Sequence, residues 1–203
     1  MSARAIAAML WIATVFAPPD ARAQQLVYDE SRVKAAFLVR FAQFVEWPQE
    51  AAQQAGGALV ITVAGSDAVH AGLVRLLADR GTQGRPIVAR QLRSADDLAV
   101  THIFFIGAGA KAAMEQHVAS AGGRPILVVS DTPDALERGA MINFVTVDRR
   151  VRFEIGIDNA EKAGLTVSSR LLSIATRIHR GALTHAPLAF LRKHANVPPG
   201  MVD

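Results

Sequence analysis

Apolar side chains recur every three or four positions between residues 30 and 47, a spacing that suits one face of a helix. The residue before a proline disfavours helical backbone, so we expect this helix to end before Pro48. The positions expected to face the core are Val33, Phe37, Phe41, Phe44 and Val45.

Four short apolar runs follow, each typical of a strand that is buried on both faces. They alternate with helical segments at residues 67–79 and from Gly107 to about residue 120. Strands that alternate with helices indicate βαβ units and a mostly parallel sheet with helices on both faces. The predicted strands cover residues 58–64, 86–90, 101–106 and 125–130.

The pattern changes at residues 141–157, where two apolar runs flank the polar residues 148–150. In the second run, Arg152 and Glu154 alternate with apolar residues and are expected to point outward, which predicts an antiparallel hairpin. A short helix at residues 158–163 and a last helix at residues 168–178 are expected to follow. The chain is therefore predicted to form a single α/β domain with a mostly parallel central sheet and an antiparallel hairpin near its C-terminal edge.

The first residues have the pattern of a secretory leader. Arg4 precedes an apolar run of 13 residues, and Ala21-Arg22-Ala23 fits a cleavage site. We expect a signal peptide at residues 1–23, an exported and soluble domain at residues 24–179, and a loosely ordered tail at residues 180–203. This organisation predicts a periplasmic location.

The amino-acid composition excludes several kinds of functional site. The chain has 203 residues, is 51% hydrophobic and contains no cysteine, which excludes a thiol nucleophile, a disulfide and a cysteine-based zinc site. Of the formal net charge of +4, the leader carries one unit and residues 180–203 carry two. The remaining body is close to neutral and has no basic stripe, so nucleic acid is not an expected partner.

No pattern of an enzyme is visible in the sequence. It lacks a phosphate-binding GxxxxGK[ST] loop, a complete GxGxxG fingerprint and a GxSxG elbow. The six histidines are too widely spaced for a compact metal site, and His102 is interpreted as a hydrogen-bonded core or edge side chain. The prediction is a protein without a catalytic site, a cofactor or a metal.

Small and polar residues follow three of the predicted parallel strands. Ligands of open α/β sheets bind at the carboxyl ends of the strands, which suggests a small-molecule cleft there. The alternative is that these residues only cap helices and turns. The candidate cleft residues are Ser66, Asp67, Gly107, Gly109, Ser130 and Asp131.

Three stretches, residues 31–48, 124–131 and 139–175, together resemble the YfiR family of periplasmic proteins. The last stretch is the most specific, with the order MINF, RFEI, AEKAGL and SSRLL. The resemblance implies a regulator that represses an inner-membrane diguanylate cyclase or a similar membrane partner, and so tunes cyclic di-GMP and biofilm formation. It also implies a homodimer and an outer-membrane lipoprotein as a further partner. A redox switch through cysteine, known in the family, is absent from this chain.

Two surfaces are candidates for partner binding. One is the outer face of the hairpin with the start of the last helix, formed by Asn143, Arg152, Glu154, Ser168, Ser169 and Arg170. The other is an exposed hydrophobic patch formed by Phe41, Phe44 and Trp47. Two further readings stay open: a periplasmic small-ligand sensor without a cyclase partner, and an enzyme that uses the strand-end cleft.

Overall fold

The computed structural model describes residues 20–79 and 85–180, with side chains from residue 30 onward. The leader expected at residues 1–23 lies mostly outside these ranges, and the tail expected beyond Arg180 lies wholly outside them.

Nine short strands make up the sheets of the described residues. They are β1 (Val45–Glu46), β2 (Leu59–Ala64), β3 (Ile87–Gln91), β4 (Ile103–Ile106), β5 (Leu127–Ser130), β6 (Ile142–Val147), β7 (Arg150–Gly156), β8 (Thr166–Val167) and β9 (Arg177–His179). Seven of them form the main sheet in the order β3-β2-β4-β5-β6-β7-β9, in which only β6 and β7 are antiparallel neighbours. Strands β1 and β8 form a separate antiparallel pair. The predicted α/β class, the mostly parallel sheet and the hairpin are confirmed.

Helices cover both faces of the main sheet. They are α1 (Asp20–Phe41), α2 (Gln49–Ala52), α3 (Asp67–Asp79), α4 (Met114–Ala121), α5 (Ile157–Lys162) and α6 (Ser169–Ile174), with 3₁₀ helices at Gln54–Gly57, Ala95–Val100 and Ala108–Ala113. One apolar cluster lies between the sheet and α1, α3, α5 and α6. A second cluster lies on the opposite face, beneath α4 and the last two 3₁₀ helices. Because β2, β4 and β5 are covered on both sides, all their residues are buried, which explains their continuous apolar runs.

Aromatic rings join α1 to the hairpin. The ring of Phe41 lies 5.8 Å from that of Phe144 on β6 and 5.2 Å from that of Phe153 on β7. Phe37 contacts the same two rings. This packing fixes α1 across the side of the hairpin that faces the core, and it leaves the other side of β6 and β7 free of α1.

The first helix differs from its prediction at its end and in its buried face. It ends at Phe41, because Val45 and Glu46 leave the helix to pair with Val167 and Thr166 of β8. Val33, expected in the core, is 41% exposed, whereas Leu38 is fully buried. The apolar spacing was misleading because a charged residue, Lys34, shares the inner face of the helix.

The last helix is shorter than predicted. It ends at Ile174, and residues 177 and 178, which were expected to be helical, instead belong to β9 (Arg177–His179). The Thr176 N–H donates to the Phe153 carbonyl, which starts the pairing of β9 with β7. Apolar residues three apart fit both a helix and a turn followed by a strand, so the period alone did not separate the two.

The hairpin turn is also tighter than predicted. It contains two residues, Asp148 and Arg149, with φ values of 50° and 59°, and Arg150 already pairs with Val147. Positive φ at both central positions is the mark of a type I′ turn, whose twist matches the flanking strands. The three-residue turn expected at residues 148–150 is therefore wrong by one residue.

Candidate functional site

A row of polar residues crosses the main sheet on the face away from α1. The strand register aligns Ser130 of β5 with Asn143 of β6, Asn143 with Glu154 of β7, and Glu154 with Arg177 of β9. Residues that are paired in register point to the same side of a sheet. Three residues of the sequence-based candidate set, Ser130, Asn143 and Glu154, are thus brought side by side, and the structure adds Arg177.

Ser130 has a structural role at one end of this row. Its hydroxyl is fully buried and donates to the Ile106 carbonyl at 2.8 Å. The same oxygen accepts from the Thr132 N–H at 3.1 Å, which shapes the turn after β5. Since its hydrogen bonds are formed within the fold, Ser130 is placed as a turn former and not as part of an open cleft.

Asn143 is the most unusual member of the row. The residue is only 8% exposed, and its side-chain Oδ1 is buried without a hydrogen-bond partner. An unsatisfied buried acceptor costs roughly 1–3 kcal/mol relative to a satisfied one. Asn143 lies within the apolar run MINF, and the described residues supply no hydrogen-bond partner for its Oδ1.

Glu154 is held by β9, an arrangement that the sequence did not predict. Its carboxylate lies 3.0 Å from His179 Nε2 and 3.8 Å from Arg177 Nη1. The side chain of Glu154 is 16% exposed, while that of Arg177 is 68% exposed. Because the last helix was predicted to continue through residue 178, these two partners could not be placed next to Glu154 from the sequence.

The outer rows of the hairpin carry arginines beside valines. The register aligns Arg152 with Val145 and Arg150 with Val147, on the same face as Asn143 and Glu154. Both arginines are exposed, and Val147 is 40% exposed. The expectation that Arg152 points outward from the hairpin is confirmed.

The remaining hairpin-side candidates lie at the start of α6. The Ser168 hydroxyl accepts from the Leu171 N–H at 3.4 Å, so Ser168 is the N-cap of this helix. Ser169 and Arg170 are exposed in its first turn. Ser168 follows β8, which pairs with β1 and not with the main sheet.

The expected hydrophobic patch is not an exposed surface. Phe41 is fully buried among the rings of the core, and Phe44 is packed against the same cluster. Trp47 is half-buried, and its indole N–H donates to the His102 carbonyl at 3.3 Å. The patch was inferred from a helix that would run to residue 47. The turn after Phe41 instead directs these side chains inward.

His102 anchors the start of β4. It is 1% exposed, and its Nδ1 accepts from the Val60 N–H at 3.2 Å while its Nε2 lies 2.9 Å from the Ala51 carbonyl. This geometry requires the neutral ring with the proton on Nε2. Burial and the nearby Arg85 guanidinium lower the pKa of His102 below its usual value. The predicted hydrogen-bonded core histidine is what the structure shows.

The six cleft candidates do not meet in one cleft. Ser66, Asp67 and Gly109 line a cavity of about 470 Å³ at the end of β2, together with Gln91, Arg93 and His117. Within it, the Ser66 hydroxyl caps α3 by accepting from the Val69 N–H, and Asp67 accepts from Gln91 at 2.8 Å. Burial lowers the pKa of His117. Ser130 instead forms the turn after β5, and Asp131 pairs with Lys34.

Backbone fills the crevice between β2 and β4 where the strand order reverses. The Gly109 N–H donates to the Gly65 carbonyl at 3.1 Å, and the Gly107 N–H donates to that of Ala64 at 2.8 Å. A Cβ added at Gly107 or Gly109 would lie 2.8 or 2.7 Å from the Gly65 carbonyl oxygen. These glycines allow the backbones of the loops after β2 and β4 to pack against each other. Gly107 lies in this contact and does not line the cavity.

A buried ion-pair cluster, missed by the sequence analysis, lies at the end of β5. Lys34 Nζ lies 2.6 Å from both Asp131 Oδ2 and Glu30 Oε1. Burial by itself lowers the pKa of Lys34, but the hydrogen bonds to the two carboxylates offset this, and its pKa lies above the usual value. The other oxygen of Asp131, Oδ1, is buried without a partner. A lysine within an apolar helical face was the available signal.

A larger groove of about 540 Å³ runs between α1 and α3. None of the sequence-based candidates lines it; its walls are formed by Arg32, Val33, Ala36, Gly72, Arg75, Leu76 and Asp79. Among the described residues, no group of three His, Asp or Glu side chains is arranged to hold a metal ion. No helix in the described ranges is long and apolar enough to cross a membrane.

Two solved structures share a limited likeness with the chain. One is a conserved domain protein from Vibrio cholerae O1 biovar El Tor strain N16961, with 15% identity and a TM-score of 0.45. The other is the ABC domain from Streptococcus pneumonia in complex with L-Trp, with 10% identity and a TM-score of 0.46. Each match covers 63% of this chain and 57% of the other, so the chain spans little more than half of either structure.

No curated protein matches the chain. A sequence profile does match, over residues 31–176, a range that includes every strand from β1 to β8 and the polar row as far as Glu154. This profile describes the YfiR/HmsC-like proteins, and the chain belongs to that family.

Proposed function

We propose that this chain is a periplasmic regulatory binding protein that represses an inner-membrane diguanylate cyclase, or a similar membrane signalling partner, by binding its periplasmic part. Such a protein tunes cyclic di-GMP and thereby biofilm formation, and it acts by binding and not by catalysis. The observation that carries the proposal is family membership over residues 31–176. The leader pattern at residues 1–23 supports the periplasmic location.

The hairpin is the docking surface that we favour. Strands hold side chains more rigidly than loops do, and a binding site gains affinity when its groups are already positioned. Asn143 and Arg152 stand on such strands, and Arg152 is exposed on the face away from α1. A homodimer and an outer-membrane lipoprotein as a further partner are also part of the proposal.

The test combines binding with a cellular readout. The mature protein is used to pull down the purified periplasmic part of the membrane diguanylate cyclase encoded nearest to it, and cyclic di-GMP is quantified by mass spectrometry in a deletion strain. We expect a stable complex and a rise in cyclic di-GMP that the wild-type gene reverses. Absence of a complex together with unchanged cyclic di-GMP would contradict the proposal.

A second candidate function is a small-ligand sensor without a cyclase partner. The cavity of about 470 Å³ at the end of β2 favours it, because polar groups of Asp67, Arg93 and His117 converge there. A thermal-shift screen with amino acids, nucleotides and vitamins is the test. A rise in the melting temperature that is lost in the His117→Ala variant would support this candidate, and a flat screen argues against it.

A further inference from the structure

The outer side of the hairpin is exposed near its turn and buried at its inner end. We call Asn143, Val145, Val147, Arg150 and Arg152 the arginine face, since the register places them side by side on β6 and β7. Phe144 and Phe153 point to the opposite side, against α1. The apolar cluster beneath α4 includes no residue of β6, β7 or β9. The second apolar cluster of the described residues therefore does not extend over the arginine face.

Positive charge is concentrated in the C-terminal part of the described chain. Residues 148–180 contain seven Lys and Arg against four Asp and Glu, whereas residues 30–79 and 85–147 together contain ten against eleven. Glu154 is already paired with Arg177 and His179. Within the described ranges Arg150 and Arg152 form no ion pair, although Asp148 and Glu154 each lie two residues from one of them in the sequence.

Asn143 supplies an independent indication of a ligand. Its Oδ1 is buried without a partner at the inner end of the arginine face, in a residue that is more than nine-tenths buried. Buried polar atoms normally have a hydrogen-bond partner, so this acceptor calls for an N–H or O–H donor from outside the described fold. An anion on its own would satisfy the arginines but not Asn143.

We propose that the arginine face binds an acidic segment of the partner protein, with carboxylates on Arg150 and Arg152 and a peptide or side-chain N–H donated to Asn143 Oδ1. This inference rests on the proposed function and names the chemistry of the partner. A polypeptide offers carboxylates and N–H donors within a few ångströms of each other, and it can insert between the valines. A lipid surface could also meet the exposed guanidinium groups, so vesicle binding is measured as a separate outcome.

The direct test uses a defined probe and the full mature chain. Poly-L-glutamate is titrated into ¹⁵N-labelled protein, and shifts of the Asn143 side-chain amide and of the Arg150 and Arg152 Nε–H signals are followed by NMR. We expect shifts that cluster on β6 and β7, and a loss of affinity of about tenfold or more in Arg150→Glu/Arg152→Glu. The matched control is Arg124→Glu, an exposed arginine before β5, which should bind like the wild type.

The outcomes distinguish an acidic polypeptide from a lipid surface as the partner of this face. Shifts on another surface, or equal binding by wild type and Arg150→Glu/Arg152→Glu, would overturn the inference. So would binding to phosphatidylglycerol vesicles with no response to poly-L-glutamate, which would make the face a lipid contact. Near-UV circular dichroism of each variant confirms that the fold is intact.

The cyclase complex tests the inference separately from the proposed function. If the wild type forms no complex with the cyclase, the proposed function fails. If the wild type binds and Arg150→Glu/Arg152→Glu binds equally well, the proposed function stands and the acidic contact fails. Rescue of Arg150→Glu/Arg152→Glu by a partner whose acidic segment is changed to lysine would support the contact directly.

Discussion

Lys34 explains why the buried face of α1 differs from the predicted one. It interrupts the apolar pattern of α1, yet it is 9% exposed and bridges Glu30 to Asp131. Sequence periodicity treats a lysine as a surface residue, because an unpaired charge is too costly to bury. Only the three-dimensional position of Asp131, 97 residues away, could show that the charge is paired.

We expect Lys34→Met to lower the free energy of unfolding by about 3 kcal/mol, because it leaves the buried Asp131 carboxylate without its partner. The double variant Lys34→Met/Asp131→Leu should recover most of this loss, since both charges are then removed. Urea unfolding of the two variants and the wild type measures the difference. Equal stability of the single and double variants would show that the pair does not couple.

Asn159 differs from Asn143 in that its side-chain amide is hydrogen-bonded within the fold. Asn159 donates from its side-chain amide to the carbonyls of Leu136 and Ala140, at 2.9 and 2.8 Å. We expect Asn159→Leu to lower the free energy of unfolding by about 1–3 kcal/mol, and Asn143→Leu to leave it unchanged or raise it by about 1 kcal/mol. Thermal and urea unfolding check both. A large loss of stability in Asn143→Leu would assign Asn143 a structural role.

His102 is expected to make the free energy of unfolding depend on pH. Its pKa is lowered in the folded state by burial and by Arg85, so below about pH 6.5 the unfolded chain binds a proton that the folded chain does not. The free energy of unfolding should therefore fall as the pH drops through that value toward the lowered pKa. Urea unfolding between about pH 7.5 and about pH 5 should show a smaller loss in His102→Gln than in the wild type. Identical pH profiles would exclude His102 as the source.

At the scale of elements, the sequence predicted what is set by local pattern. Strands β2, β4 and β5 and helix α3 were predicted to within three residues, because long buried runs and an amphipathic period are unambiguous. The short elements β1, β8 and β9 were not predicted. Each consists of two or three residues and exists through pairing with a distant strand, as Val45 does with Val167.

In the candidate site, too, the sequence predicted the features that depend on local pattern and not those that depend on distant pairing. The outward direction of Arg152 follows from strand alternation, and it was predictable. The contacts of Glu154 with Arg177 and His179 depend on β9. The full burial of Phe41 and the partial burial of Phe44 depend on where α1 ends. Pattern reasoning cannot fix these, because both are decided by tertiary pairing and not by local propensity.

The type I′ turn offers a test of local strain. A residue with a side chain pays about 1–2 kcal/mol in the left-handed region, and both Asp148 and Arg149 occupy it. We expect Asp148→Asn/Arg149→Gly to raise the free energy of unfolding by about 1 kcal/mol, because this dipeptide favours the turn. Arg149→Val is the matched opposite and should lower the melting temperature. If both variants melt like the wild type, the turn is not under strain.

At the scale of the whole molecule, charge is distributed unevenly around a nearly neutral body. Residues 148–180 carry the excess of Lys and Arg. An association guided by the exposed arginines of the hairpin should weaken with ionic strength, because exposed charges are screened by salt. We expect the affinity for the cyclase to fall between about 50 and about 300 mM NaCl, mainly through a slower association rate. Arg150→Glu/Arg152→Glu should flatten the salt dependence, as measured by surface plasmon resonance.

The glycine contact between the loops after β2 and β4 limits how this fold can change over evolution. Pockets commonly arise when a large side chain is replaced by a small one, and here Gly65, Gly107 and Gly109 leave no side chain to shorten. A new ligand could enter this crevice only if an insertion or a longer loop separated the two backbones. New specificities in proteins of this architecture are therefore expected to arise at the hairpin and at the outer rim of the β2 cavity, where point substitutions are sufficient.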